Sequence, residues 1–588
     1  MTAAPWGAYR AAPFGEVVVS VERADAGMVS RDGNRAESAP RAHITLVRPP
    51  AISSRFSYTI GVVLPLGPAY LAGALLEAGH LVAAVDGLGE APFQRGPTSQ
   101  PHLIYHGLSI PEIVERIDPA TDAIAVSVMF SQQWPHVDEL VRAIHARFPH
   151  RPIFVGGEHV TGAWQFVLDT CPPVTACALG EGEETMVDLA GYVAGAHPLA
   201  DVEGIACRIQ GHAERTEPRQ RIRNIDDIPR PAWHLFPVAS YLEAGFTYGV
   251  NLGRSMPILA TRGCPYQCTF CSSPAMWTTR YYVRDVADVV DEIADYVECY
   301  RATNIDFYDL TAIIKRDWIL QFCAELERRK LAITYQLPTG TRSEALDDEV
   351  LAALYRTGCR NICYAPESGS AQTLARIKKK IKPERMVRSM REATRAGIVV
   401  KANLMIGFPD ETREELWQTV RFGMKLAWLG VEDLPLFPFI PYPGTALYDS
   451  LRAKGVVPEM SNEYFAQLGY GDLDSARSLS PHISSRQLAM VRLVGMLVFL
   501  LIGYARRPWR VIRTLRALIT ERSTTVVELR LVDIKRRMLA VVRRGVRRAV
   551  GGLNATPVPK GKRNDRVIDF PEPLAAPPAS TASIRRVV

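Results

Sequence analysis

The 588-residue chain is short of cysteine, of long apolar runs and of strong net charge, and each shortage narrows what it can be. No segment near the N-terminus has the apolar core of a signal peptide, so the expected location is the cytoplasm. Ten cysteines are too few and too scattered for a disulfide framework. Seven of them (Cys171, Cys177, Cys207, Cys299, Cys323, Cys359 and Cys363) sit among apolar neighbours and read as small hydrophobes. The longest apolar run, residues 493–505, has 13 residues, short of the roughly 20 that cross a bilayer. It suits either a buried helix or a helix lying at a membrane interface, where the Arg506, Arg507, Trp509 and Arg510 that follow would be at home.

Hydrophobic residues at 47% and charged residues at 22% are the balance of a soluble globular chain, and the length predicts about three or four compact units. The net charge of +7 is unevenly placed. Residues 505–548 hold 14 Lys and Arg against Glu521, Glu528 and Asp533, a surplus of +11 that leaves −4 for the remainder. Such a block suits an anionic surface, either membrane headgroups or nucleic acid.

Strand-like runs at 43–47, 81–85, 123–128 and 153–155 alternate with helical stretches such as 68–78 and 137–146. This predicts an α/β, Rossmann-like doubly wound domain over 42–193. Ligands of such sheets bind beyond the carboxyl ends of the strands, where Gly156, Gly157 and His159 stand, and the two glycines let a ligand approach the backbone. Residues 194–250, with the prolines at 229 and 231, read as a linker. About six further βα repeats over 251–456 predict a partial (β/α)6 barrel with its active site at the C-terminal strand ends. Residues 457–548 read as an α-helical, basic C-terminal region, and 1–41 and 549–588 as mobile tails.

Only Cys264, Cys268 and Cys271 are clustered, directly after the first barrel strand. Iron-sulfur clusters commonly use four thiolates, so three with no evident fourth suit a [4Fe-4S] cluster with one open iron. The rival is a structural zinc site, which usually wants four ligands. The Cys-x3-Cys-x2-Cys spacing, with Tyr266 and Phe270 inside it, resembles the motif of the radical S-adenosylmethionine superfamily. That resemblance implies one-electron cleavage of S-adenosylmethionine to a 5′-deoxyadenosyl radical, fed by an external donor such as flavodoxin or ferredoxin. It also implies cofactor-facing roles for Asp309, for Arg342, and for Glu367 and Ser368 in a Glu-Ser-Gly segment.

Residues 42–193 resemble the cobalamin-binding domain that often precedes such a barrel, in Gly156-Gly157-Glu158-His159 and in Gly180-Glu181-Gly182-Glu183. One departure stands out. The loop that carries Asp-x-His-x-x-Gly in domains supplying their own lower cobalt ligand reads Arg48-Pro49-Pro50-Ala51-Ile52-Ser53 here. Together the resemblances imply cobalamin-dependent methylation of an unactivated carbon in a hydrophobic or natural-product small molecule, as in the hopanoid methylases. Cyclisation or rearrangement, as in the anaerobic magnesium-protoporphyrin ester cyclases, is the alternative, and a non-catalytic iron-sulfur redox or nucleic-acid-binding protein is the remote one. The apolar run and basic block over 487–548 add a peripheral membrane contact to the expected partners, ahead of nucleic acid.

Overall fold

The computed structural model describes residues 41–539, apart from 56, 58–61, 312–313, 470, 472–476, 521–522, 533 and 536–537. The expected tail at 1–41 except for its last residue, the tail at 549–588, and the end of the basic block from 540 lie outside the described residues.

The first sheet contains β1 (His43–Arg48), β3 (Leu81–Asp86), β6 (Ala123–Ser127), β7 (Ile153–Gly156), β8 (Ala176–Ala178), β9 (Ile205–Ile209) and β10 (His212–Arg215). Its order is β10-β9-β8-β7-β6-β1-β3, with β3 to β8 parallel and β9 and β10 antiparallel at the edge. β6 and β7 are almost wholly buried, as strands covered by helices on both faces must be. From β1 the chain crosses to β3 on one side and then returns to β6 on the other. Their carboxyl ends therefore flank the crevice where doubly wound sheets bind ligands. The doubly wound reading is borne out, but 194–250 is more than a linker. Within it Ile205-Ala206-Cys207-Arg208-Ile209, set between Gly204 and Gly211, forms a hairpin that extends the sheet, a signal that the prolines at 229 and 231 obscured. A small antiparallel sheet of β2 (Ala51–Ser54), β4 (Arg95–Pro97) and β5 (Leu103–His106) packs Ile52 and Leu103 against Ala466.

The second sheet is the expected partial barrel. It runs in chain order through β11 (Ser255–Ile258), β14 (Asn304–Phe307), β15 (Thr334–Thr341), β16 (Cys359–Glu367), β17 (Val399–Ile406) and β18 (Leu436–Pro438), all parallel. A two-stranded ribbon, β12 (Thr261–Arg262) with β13 (Tyr282–Val283), brackets the cysteine loop. One apolar core joins the two sheets, with Ile44, Leu46 and Phe154 in the same cluster as Met256, Ile258 and Ile305.

Helices follow the barrel at Ala446–Ala453, Asn462–Ala466, Ser485–Arg506 and Trp509–Thr520, and helical backbone resumes at 526–532. The apolar run at 493–505 lies inside the third of these. That helix begins eight residues before the run at a Ser484 capping box, and by length and composition it could cross a membrane.

Candidate active site

The cysteine loop leaves β12 through Gly263. Its φ is +89°, and a Cβ there would sit 2.1 Å from the Arg280 carbonyl oxygen, so only glycine lets the chain turn toward Cys264. Cys264, Cys268 and Cys271 are free, half-buried thiols. The Thr311 hydroxyl donates to Cys264 Sγ at 3.4 Å, and the Ser273 N–H donates to Cys271 Sγ at 3.5 Å. Burial, with Glu158, Cys268 and Cys264 close by, pushes the Cys271 thiol up to about 12. Such a sulfur ionises when iron supplies the neighbouring positive charge. Among the described residues no three His, Cys, Asp or Glu side chains converge tightly enough for a single metal ion. A zinc ion needs all its donors at about 2.0–2.3 Å, whereas a four-iron cluster spreads its thiolates around a larger body. Three thiolates on one loop, with no fourth cysteine beside them among the described residues, suit a four-iron cluster with one open iron.

Acidic and basic side chains hold this loop from below. Asp309 is fully buried after β14, and its carboxylate accepts from the Ala260 N–H at 3.2 Å and from the Thr261 hydroxyl. Burial raises it to about 6. It thus holds the strand end that carries the cysteines. Arg342, after β15, donates to Glu344 at 3.0 Å and to the Lys380 carbonyl, and its guanidinium lies 3.4 Å from the Tyr266 ring centroid. Glu367 ends β16 with φ +65° and forms a buried ion pair with Lys379 at 2.9 Å. Burial lowers Lys379, but Glu367 and the Cys268 sulfur outweigh it and hold the ammonium above its ordinary value. The Ser368 hydroxyl shares a buried hydrogen bond with the Thr419 hydroxyl at 2.8 Å.

The first domain meets this loop directly. Gly157, just after β7, has φ +114°, and a Cβ on it would lie 2.5 Å from the Val128 carbonyl oxygen. Gly156 precedes it at the end of β7, and the two leave bare backbone beside the crevice. Glu158, next in the chain, is bonded to Ser272 beside Cys271, and the Thr161 hydroxyl reaches Met276 Sδ at 3.4 Å. His159 is buried: its Nδ1 shares a hydrogen bond with Ser131 at 3.0 Å, and its ring packs 5.3 Å from Trp134 and 4.8 Å from Phe465. Its Nε2 and the indole N–H of Trp134 are buried polar atoms with no partner among the described residues. At the carboxyl end of β6, Met129 and Phe130 stand exposed. Bare glycine backbone, unmatched buried polar atoms and apolar side chains at the strand ends fit a corrinoid, which offers amide groups and a broad apolar ring. Where the lower-ligand histidine would begin, Arg48 pairs instead with Asp86 at 3.4 Å.

Three side chains packed around this site escaped the sequence reading. Lys379 lies in a run of basic residues that resembles a solvated patch. Glu158 is hidden between two noted residues. Arg262, two residues before Cys264, is buried against Glu183 at 2.6 Å and Glu181 at 3.4 Å. Opposite charges in two separate motifs were the available signal.

Models of known families match two stretches: the B12 binding domain over residues 59–190 and the radical SAM superfamily over 258–423. An uncharacterized methyltransferase of Pyrococcus horikoshii is 29% identical over 453 residues, covering 76% of this chain and 90% of the relative. The anaerobic magnesium-protoporphyrin IX monomethyl ester cyclase of Cereibacter sphaeroides is 28% identical over 413 residues, covering 68% of this chain and 62% of the relative. The solved radical S-adenosylmethionine methyltransferase TsrM of Kitasatospora setae, with cobalamin and a [4Fe-4S] cluster bound, shares the fold. Its TM-score is 0.57 at 18% identity, over 72% of this chain and 79% of that one. The chain is an enzyme of the radical SAM superfamily that carries a B12-binding domain ahead of its barrel, and its cofactors are a [4Fe-4S] cluster, S-adenosylmethionine and cobalamin.

Proposed function

We propose that the enzyme methylates an unactivated carbon of a hydrophobic or natural-product small molecule. The observation that carries this reading is the contact between the two cofactor sites: Glu158, one residue past the glycine pair, is bonded to Ser272, one residue past Cys271. When bound, the cluster with S-adenosylmethionine supplies a hydrogen-abstracting radical and the corrinoid supplies a methyl group. A substrate held between them would meet both.

The chain's own part is to hold and to shield. Cys264, Cys268 and Cys271 hold the cluster. Glu367 and Lys379, a charge of each sign beside Cys268, are suited to the ribose hydroxyls and carboxylate of S-adenosylmethionine, and Arg342 braces the loop through Tyr266. Asp309 fixes the strand end, while Gly156, Gly157 and the apolar side chains near them receive the corrinoid. Ser368 and His159 support these groups from behind. A flavodoxin- or ferredoxin-type donor and a cytoplasmic location complete the proposal.

The relative named a methyltransferase supports methyl transfer, and the one named a cyclase favours cyclisation as a second reading. Anaerobic turnover of candidate substrates with methyl-labelled S-adenosylmethionine separates the two. Methylation predicts label in the product, with one S-adenosylhomocysteine and one 5′-deoxyadenosine released per methyl group. Unlabelled product with 5′-deoxyadenosine and no S-adenosylhomocysteine would replace methylation with cyclisation. Glu367→Ala is expected to weaken S-adenosylmethionine binding by roughly ten-fold, read by calorimetry on the reconstituted enzyme.

A further inference from the structure

The helix Ser485–Arg506 inverts the usual amphipathic arrangement. Its inward face, on the helix Arg413–Leu429 and β18, presents Leu488, Arg492, Gly495, Phe499 and Gly503. The face turned outward is the more continuously apolar one: Met490, Leu493, Val494, Leu497 and Leu501 recur at helical spacing, and Leu497 is 56% exposed. Only 28% of its most apolar 18-residue window is buried. The helix Trp509–Thr520 continues the stripe with Trp509, Ile512, Leu515 and Ile519, where Ile512 is 70% and Ile519 79% exposed.

This second helix is fixed to the barrel, not fraying from it. Arg510 donates to the Gly430 carbonyl at 2.7 Å, and Arg513 pairs with Glu528 at 2.8 Å. Those arginines face inward, while Arg486, Arg506 and Arg516 stand exposed around the stripe. Arg506 also lies 5.0 Å from the ring centroid of the exposed Trp428. Residues 485–520 contain seven arginines and no acidic residue.

We infer that this face is a docking surface for an anionic lipid bilayer. The two helices would lie in the interface with their apolar stripe in the acyl boundary and their arginines among the headgroups. This goes beyond the proposed reaction and does not depend on it. Charge selects the occupant. A second copy of the chain meeting this face by two-fold symmetry would bring the exposed arginines against themselves. The C-terminal segment 540–588 is likewise a poor cover, because Arg543, Arg544, Arg547, Arg548, Lys560, Lys562 and Arg563 share the sign of the surface. Nor does the longer helix span the bilayer, since one side is committed to the barrel and buries Arg492.

The test is flotation of the full-length, cofactor-loaded protein with phosphatidylcholine vesicles, with and without phosphatidylglycerol. Binding to the anionic vesicles alone, loss of binding in Leu497→Glu/Ile512→Glu, and a weakening of about five-fold in Arg516→Gln support the inference. Both hydrophobic positions are exposed, and corrin absorption with circular dichroism checks that the double variant is folded. Trp509 fluorescence gives a second reading on the unmutated protein, with a blue shift expected on adding anionic vesicles and absent in Trp509→Phe. Failure of the folded protein to float, equal binding to neutral vesicles, or binding unchanged in the double variant would overturn it. So would a solution dimer that the double variant splits while vesicles leave it untouched.

Discussion

At the scale of single residues, Glu411 makes the clearest pH prediction. Its carboxyl is buried behind the Gly407–Phe408 turn, where one oxygen accepts from the Gly407 N–H at 2.6 Å and the other has no partner among the described residues. Burial raises it from 4.5 to about 7. The folded state therefore holds this proton more tightly than the unfolded one. The stability it contributes is complete below pH 4.5 and is lost as pH rises toward 7, amounting to about 3 kcal/mol at most. Denaturant midpoints across that window are expected to fall for the parent and to flatten in Glu411→Gln. An equal slope in both would assign the pH dependence to other groups. Gly157 makes a steric prediction. Alanine there places a Cβ against the Val128 carbonyl at a positive φ, so Gly157→Ala is expected to cost about 2 kcal/mol and to reduce the corrin retained through purification. Unchanged stability and corrin content would show that the turn relaxes.

At the scale of elements, the contact between the first domain and the cysteine loop rests on a buried ion network. Arg262 of β12 is held by Glu183 and Glu181, and Arg221 reaches Glu181 at 3.0 Å. Burial opposes charge on Glu183, but Arg262 beside it prevails and holds the carboxyl below its ordinary value. Removing one partner strands the other, so Glu183→Gln and Arg262→Met are each expected to destabilise by about 3 kcal/mol. The double variant is expected to cost less than the two losses combined. Additive losses in urea unfolding would show that the two side chains do not act as a pair. The sequence made the elements on either side of this contact legible, because alternating βα periodicity and cysteine spacing are local signals. It could not show that Arg262 and Glu183, 79 positions apart, are partners, nor that Asp309 turns back onto Ala260 and Thr261. Such partnerships depend on how one sheet seats on another, which no periodicity encodes. The hairpin β9–β10 was missed for a local reason: its strands of five and four residues are short, and the second, His212–Arg215, is polar and largely exposed.

At the scale of the whole molecule, one apolar core runs from Ile44 in the first sheet to Ile305 in the barrel, so the two cofactor-binding domains pack as a single body. The order of the domains and the three cysteines could be read in advance because each carries a motif. For the apolar run inside Ser485–Arg506 the sequence left two readings open, a buried helix or one at a membrane interface, since the composition of a helix does not say which side the barrel will cover. The central claim is that this body joins a radical-generating cluster to a corrinoid. It is tested most directly by the release of 5′-deoxyadenosine from S-adenosylmethionine under dithionite, on anaerobically reconstituted protein prepared with cobalamin, beside Cys268→Ala. The account predicts corrin absorption in both proteins and 5′-deoxyadenosine from the parent alone. A fully iron-loaded parent that releases none with any candidate substrate, or that retains no corrin, would contradict it.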